Sequence, residues 1–300
     1  MCEQEESNEE KKNRIFQLVK KIQLKLPKSQ ATDITFIKHM HKCVSKKQIW
    51  LGFENVSKQW VIVKEGKNNP SWIPDLDLYY ELETFCDLLD LEQDSMLEHL
   101  PVLIDVRLSE TQNQIITKWL PLQFNKIFHN HVIPCFNRRV VCDLIQIVKY
   151  LHRNNIFHRD IKSTNICFDT SGKLVLIDFG SATTNDISTT LSVCTVTTRA
   201  PEQFQDAKSA QEYSAAAGDW WSVGCVICHM YLGEPLFYLK DTETDIPTQI
   251  NFFLSLLHSE CGHPKLSKVC PEEIYRLIQG LMSRQPDVRT QTANRFFLII

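Results

Sequence analysis

The run His158-Arg159-Asp160-Ile161-Lys162-Ser163-Thr164-Asn165, followed by the apolar stretch Leu174 to Ile177 and by Asp178-Phe179-Gly180, holds the residue types that phosphoryl transfer needs. Such a reaction requires a carboxylate to orient the attacking hydroxyl, a cation near the moving phosphate and oxygen ligands for Mg²⁺. Asp160, Lys162 and the pair Asn165 with Asp178 supply these in order. Turn-forming residues from Asp169 to Gly172, set between two short strands, would fold Asn165 and Asp178 towards one metal. Turn capping by the same polar residues explains single members of the set but not the whole.

Further on stand Ala200-Pro201-Glu202 and Asp219-Trp220-Trp221-Ser222-Val223-Gly224. In order, spacing and residue type, the stretch from about Asn137 to Arg289 resembles the catalytic lobe of eukaryotic protein kinases, and Lys162 resembles the serine/threonine subgroup. The resemblance implies an α+β bilobal kinase fold: a small antiparallel-sheet N-lobe with one key helix and a larger, mostly helical C-lobe. It implies ATP and Mg²⁺ as cofactors, with Mn²⁺ as a substitute, and protein substrates that present Ser or Thr hydroxyls. Asp160 is then the catalytic base, Lys162 its companion at the phosphate, and Asn165 and Asp178 the metal ligands. The same likeness pairs Glu202 with Arg289, assigns Asp219 to the catalytic-loop backbone, and places His158, Phe179 and Phe85 in a hydrophobic spine.

The first part of the chain matches less closely. Val61-Ile62-Val63-Lys64 resembles the strand whose lysine contacts the α- and β-phosphates. Its partner should be a glutamate on the next helix. Glu81 fits, because Leu82, Phe85 and Leu88 follow it, whereas Glu83 is followed by Thr84, Cys86 and Asp87. A solvent-facing Glu81 is the plain alternative. Aligning Ile115 to Leu120 with the family's fifth strand and hinge puts Thr117 at the back of the adenine pocket, and the backbone of Lys118, Trp119 and Leu120 at the adenine edge. The departure is the phosphate-covering loop. Counting back from Lys64, Lys42-Cys43-Val44-Ser45-Lys46-Lys47 occupies the place of Gly-x-Gly-x-x-Gly, with no glycine. The alignment makes Lys42, Ser45 and Ile49 nucleotide-facing. Lys42, Lys46 and Lys47 either replace backbone donors with side-chain charge or form a solvated basic hairpin.

These residues need elements to position them, and 300 residues of which 43% are hydrophobic can bury a large core as one domain or two lobes. Apolar residues recur at helical spacing from Ile15 to Leu26, after a charged tail over residues 1–12 that is disordered or a frayed helix start. Short β-branched or aromatic runs at Ile34 to Ile37, Gln48 to Phe53 and Trp60 to Val63 predict an antiparallel sheet. A helix over Leu76 to Leu89 and strands at Val102 to Val106 and Gln114 to Leu120 complete an N-lobe over 13–120. Long helical patterns dominate a C-lobe over 121–300.

Net charge is −3 and the isoelectric point about 6.4, so no global positive field draws the chain to nucleic acid or an acidic membrane. The acidic N-terminus lacks the basic start and apolar run of a secretory signal, and the expected location is intracellular and cytoplasmic. The eroded glycine loop is similar to kinases of large DNA viruses, which would make that location host cytoplasm or virion. Ala215 to Leu232 is interrupted by Asp219, Ser222 and His229 and reads as a buried core helix rather than a membrane span. Eleven cysteines read as reduced thiols, and Cys261, His263 and Cys270 lack the second ligand pair of a structural zinc site.

Substrate choice leaves a fainter trace. Ser163 and Thr164 stand where kinases that favour basic substrates place an acidic residue, so selection for arginine is not indicated. Thr195 to Arg199 resembles the Thr-x-x-x-Arg form of the proline-directed branch, although Thr197 and Thr198 fill its aromatic positions. The Ser- and Thr-rich segment Ser181 to Arg199 is expected to be a loop, in which phosphorylated Thr190 would dock on Arg159, or which carries no phosphate at all. Two rival functions share the fold: a pseudokinase acting as a binding or scaffold module, and a kinase acting on a small-molecule hydroxyl.

Overall fold

A computed structural model describes residues 8–26, 33–42, 48–67, 76–91, 94–109, 112–128, 134–189, 194–204, 211–237, 245–260 and 262–296. Two compact units divide the chain, Met1–Leu120 and Pro121–Ile300.

In the first unit, helix α1 (Asn8–Lys25) precedes strands β1 (Ile34–Lys42), β2 (Gln48–Glu54) and β3 (Gln59–Lys67). Helix α2 (Leu76–Asp90) and strands β4 (Leu103–Leu108) and β5 (Gln112–Lys118) follow. The strands form one antiparallel sheet in the order β1-β2-β3-β5-β4. Alternation along β3 buries Val61 and Val63 against Ile116 of β5, with Ile34, Trp50 and Ile104 packed around them. Register sets Ile49 of β2 and Ile115 of β5 on either side of Lys64. Directly opposed residues share a sheet face, so Lys64 emerges between two isoleucines.

Helix α2 buries Leu78, Leu82, Phe85 and Cys86, the three- and four-residue spacing of one helical face. Helix α1 buries Ile15, Val19 and Ile22 and lies against α2 and β4. It begins at Asn8, so the described part of the charged tail, residues 8–12, is a helix start, one of the two readings that its composition left open. Glu9 to Lys12 are good helix formers, and a helix nucleated by packing at Ile15 propagates back through them.

The second unit opens with β6 (Leu122–Gln123), α3 (Phe124–Ile127) and α4 (Pro134–Arg153), then β7 (Ile166–Phe168) and β8 (Leu174–Leu176). Strands β9 (Ile187–Ser188) and β10 (Tyr213–Ser214) pair with each other, so the expected loop from Ser181 onward contains a short strand and, at 196–198, a 3₁₀ turn. Five helices complete the unit: α5 (Ala215–Leu232), α6 (Ile246–Leu257), α7 (Leu266–Val269), α8 (Glu272–Leu281) and α9 (Pro286–Arg295).

Helix α5 is the hub, with α4, α7, α8 and α9 against it. Ser214 caps its N-terminus by accepting from Ala217 N, and Gly233, at φ 75°, ends it in the left-handed conformation that glycine adopts without cost. All its residues except Ala216 and Leu232 are buried, which explains its apolar composition without a membrane. No helix among the described residues is long and apolar enough to cross one. Burial pushes the Cys167 thiol up to about 11 and that of Cys270 up to about 12, so neither is a ready thiolate.

The wholly buried Arg289 of α9 closes the unit. Its Nη1 and Nη2 donate to the two carboxylate oxygens of Glu202 at 2.6 and 2.9 Å, and its Nε to Ser283 O at 2.7 Å. Its guanidinium sits 5.1 Å from the Trp221 ring centre. Truncating the wholly buried Arg289 leaves a cavity and an unpaired, one-fifth-exposed Glu202, so Arg289→Ala should destabilise the protein by about 2–5 kcal/mol. Arg289→Lys should recover little of this, since an ammonium cannot match the two-pronged contact. Urea unfolding followed by circular dichroism tests both, and an unchanged midpoint for Arg289→Ala would refute the clamp.

Candidate active site

The site in the second unit begins with a buried carboxylate. Asp219, one turn into α5, accepts from His158 N at 2.8 Å and Arg159 N at 2.7 Å, and His152 Nε2 of α4 lies 2.9 Å from it. These bonds hold Arg159 at φ 61°, a left-handed backbone conformation that is costly for any residue but glycine. The His158 ring packs against Phe179, tilted by 51° with centroids 4.9 Å apart, and its Nε2 is 3.1 Å from Ile177 O.

Asp160 follows at once, and four donors fix its carboxylate. Oδ2 accepts from Lys162 Nζ at 2.7 Å and Asn165 Nδ2 at 3.2 Å. Oδ1 accepts from Thr195 N at 3.0 Å and Thr195 Oγ1 at 2.6 Å. The Thr195 hydroxyl in turn accepts from Lys162 Nζ at 2.8 Å, closing a ring of carboxylate, ammonium and hydroxyl. A carboxylate so held presents one geometry to an incoming hydroxyl.

The metal-ligand candidates come from either side of a hairpin. Strands β7 and β8 pair Ile166 with Leu176, and Ile177 N donates to Asn165 O at 2.9 Å, which sets Asp178 beside the Asn165 backbone. The connecting turn is pinned by Asp169, whose Oδ1 accepts from Ser171 N at 2.8 Å and Lys173 N at 2.9 Å, while Gly172 takes φ 79°. Partial burial alone would raise the Asp169 carboxyl, but the hydrogen bonds from Ser171 and Lys173 hold it below its ordinary value. Asp178 itself has φ 71°, strain of the kind that gathers at functional sites.

The Asn165 amide nitrogen is committed to Asp160, donating also to its backbone O at 2.9 Å, so its carbonyl oxygen is the atom offered to a cation. One amide oxygen with one carboxylate is a hard donor set that suits Mg²⁺, which binds through few protein ligands and keeps water and phosphate oxygens. Among the described residues no group of three or more His, Cys, Asp or Glu forms a metal cage, as a softer metal would need.

In the first unit, Lys64 Nζ lies 2.7 Å from Glu81 Oε1, with the two side chains 13% and 2% exposed. The alternative partner, Glu83, accepts instead from Arg14 at 2.6 Å and from the Tyr79 hydroxyl. Thr117 is buried. Lys118 N donates to Val102 O at 2.9 Å and Trp119 N to Trp60 O at 3.0 Å, so of the backbone groups expected at the adenine edge these two N–H groups are engaged in the sheet. Lys42 ends β1, paired with Gln48, and Ile49 pairs with His41 and Lys64. Ser45, Lys46 and Lys47 lie outside the described residues, as do Thr190 and Cys261.

Two features escaped the sequence reading. Thr195 joins Asp160 across 35 positions; it was read only as the start of a Thr-x-x-x-Arg pattern, and its place shortly before Ala200-Pro201-Glu202 was the available signal. Arg159, expected to receive a phosphate, donates from Nε to Ser181 O at 2.6 Å and from Nη1 to Ser188 Oγ at 3.4 Å. Next to Thr195, Cys194 is buried, and desolvation, aided by the charges of Asp219 and Asp160, pushes its thiol up to about 12.

Thr195→Val removes one donor and one acceptor from the ring while preserving shape. Hydrogen bonds to charged groups are worth about 1.5–3 kcal/mol, so turnover should fall roughly ten- to hundredfold, with nucleotide affinity little changed. Thr195→Ser should retain most of the rate. Steady-state kinetics on both variants is the check, and wild-type turnover by Thr195→Val would remove Thr195 from the site.

A family model described as protein kinase domain matches residues 109–296. The mitogen-activated protein kinase mpkC of Aspergillus niger is 29% identical over 194 residues, which is 63% of this chain and 46% of that protein. The mitogen-activated protein kinase HOG1 of Scheffersomyces stipitis is 33% identical over 146 residues, 48% of this chain and 35% of its own length. HOG1 of Candida albicans is 34% identical over 142 residues, 46% of this chain and 34% of its own. The chain spans less than half the length of each of these three relatives.

Proposed function

The chain belongs to the protein kinase family, and on that premise we propose that it is an ATP- and Mg²⁺-dependent enzyme that phosphorylates serine and threonine hydroxyls of proteins. The observation that carries this reading is the ring formed by Asp160, Lys162, Thr195 and Asn165. A binding module has no chemical need to hold a carboxylate, an ammonium and a hydroxyl in one fixed arrangement, which disfavours the scaffold alternative.

Asp160 orients the acceptor hydroxyl and takes its proton as the oxygen attacks, while Lys162 keeps its positive charge beside the departing phosphoryl group. Asn165 and Asp178 would hold Mg²⁺, which when bound neutralises charge on the phosphate oxygens. Lys64, held straight by Glu81, is the cation for the α- and β-phosphates, and Ile49 beside it supplies an apolar contact. With the Lys118 and Trp119 N–H groups engaged in the sheet, the adenine donor falls to Leu120.

Substrate preference rests on a cavity of about 290 Å³ whose lining includes Lys162, Thr164, Thr195, Thr198, Val226 and Leu236. Two of the three residues that grip Asp160, Lys162 and Thr195, belong to this lining, which otherwise carries hydroxyls, apolar groups, Asn125 and His229 and, among the described residues, no carboxylate. A substrate arginine placed there would lose hydration with no partner, so uncharged side chains near the acceptor are favoured. Free buried thiols and an ATP requirement fit a reducing, nucleotide-rich compartment, and the cytoplasm is the proposed place of action.

Purified protein with labelled ATP and a peptide library is the direct test. Asp160→Asn should lose about 10²–10⁴-fold in transfer yet keep ATP-induced thermal stabilisation, because Asp160 serves the acceptor and not the nucleotide. Lys64→Ala should lose both, and excess chelator should stop the wild type. Wild-type speed in Asp160→Asn would refute the mechanism; nucleotide binding without any transfer would establish the scaffold instead. In the library, Thr164→Glu should create a preference for arginine that the wild type lacks.

A further inference from the structure

Helix α2 shows different residues to different neighbours. Glu81 is turned to Lys64 of β3, whereas Tyr79, Glu83 and Asp90 fall along another stripe and are engaged by α1. Arg14 pairs with Glu83 at 2.6 Å, and its guanidinium sits 5.6 Å from the Tyr79 ring centre. Lys21 pairs with Asp90 at 2.6 Å, and Lys25 pairs with the same carboxylate. Beneath these contacts Ile15, Val19 and Ile22 are buried at the spacing of a single helical face. Gln23 Nε2 donates to Val106 O of β4 at 3.1 Å, which ties α1 to the sheet that carries Lys64. Basic residues on α1 thus meet acidic ones on α2. Asp87, in the same part of α2, is raised by its partial burial and lowered by Lys21, which is consistent with that closeness.

An α-helix turns by about 100° per residue, so a small rotation or slide of α2 would swing Glu81 away from Lys64. The α1 contacts oppose both movements, because they grip α2 midway, at Glu83, and at its last residue, Asp90. We propose that α1 is an intramolecular positioning element that fastens α2 to the sheet and thereby keeps the Lys64–Glu81 pair formed. This rests on the kinase reading only for the use to which Lys64 is put; the fastening itself is a property of the first unit.

The test is a full-length triple variant, Arg14→Glu with Lys21→Glu and Lys25→Glu, whose side chains are 55%, 50% and 31% exposed and so can change without emptying the core. Amide hydrogen exchange across residues 78–90 should quicken by about tenfold or more while the rest of the first unit is unchanged. The rate constant for transfer should fall about tenfold, yet in a Glu81→Gln background the same triple change should cost nothing further, since both act through one ion pair. Reversing the partners as well, with Glu83→Arg and Asp90→Lys, should restore exchange protection and rate together. Unaltered exchange in α2, or a rate loss that adds in full to that of Glu81→Gln, would overturn the proposal. Exchange decides the role of α1 even if the wild type transfers no phosphate, an outcome that would instead remove the reading of the site.

Discussion

The carboxylate of Asp219 is the contact on which the second unit depends. It lies inside α5, a helix buried on nearly all sides, and it satisfies two consecutive backbone N–H groups of the loop that ends in Asp160. Leaving such buried donors unmet costs about 1–3 kcal/mol each, enough to abandon the left-handed turn at Arg159. Because the turn aims the next residue, a hydrogen bond within the scaffold sets the direction of the reactive carboxylate. His152 from α4 meets the carboxylate oxygen that serves His158 N, so helix packing and loop geometry share one anchor.

Charged groups in this unit are placed where partners already wait. Asp160 has Lys162, Asn165 and Thr195 around it, and Arg289 has Glu202, the Ser283 carbonyl and the face of Trp221. The two arrangements serve different ends. The first holds one carboxylate in a fixed orientation, whereas the second fastens the segment after Ala200 to α9. Thr195 and Glu202 belong to the same stretch of chain, so the segment that reaches Asp160 at one end is clamped by Arg289 at the other.

The first unit solves a different problem, the placing of one nearly buried ammonium, that of Lys64, beside a carboxylate. The sheet supplies half of the answer by register, with Ile49 and Ile115 flanking Lys64, and α2 supplies the rest through Glu81. Burial of Ile15, Val19 and Ile22 brings α1 onto this unit, while the ion pairs of Arg14, Lys21 and Lys25, each worth about 0–1 kcal/mol when exposed, act together to fix the register of α2 that Glu81 needs.

Much of this was determined by sequence alone. Residue type and spacing were enough to name Asp160, Lys162, Asn165 and Asp178 as candidates, because one loop and the hairpin that follows it carry all four, and periodicity marked α2 and the strands of the sheet. Some choices belonged to the tertiary structure because they turn on which of several equivalent groups is buried. Glu81 could be chosen over Glu83 from the apolar residues that follow it, but that Glu83 is taken by Arg14 of α1 is set by packing between helices far apart in sequence. The hinge N–H groups look alike in sequence, yet sheet pairing absorbs those of Lys118 and Trp119. Thr195 joins Asp160 across 35 positions, a contact that no local period encodes, because it exists only once the fold has brought two distant stretches of chain together.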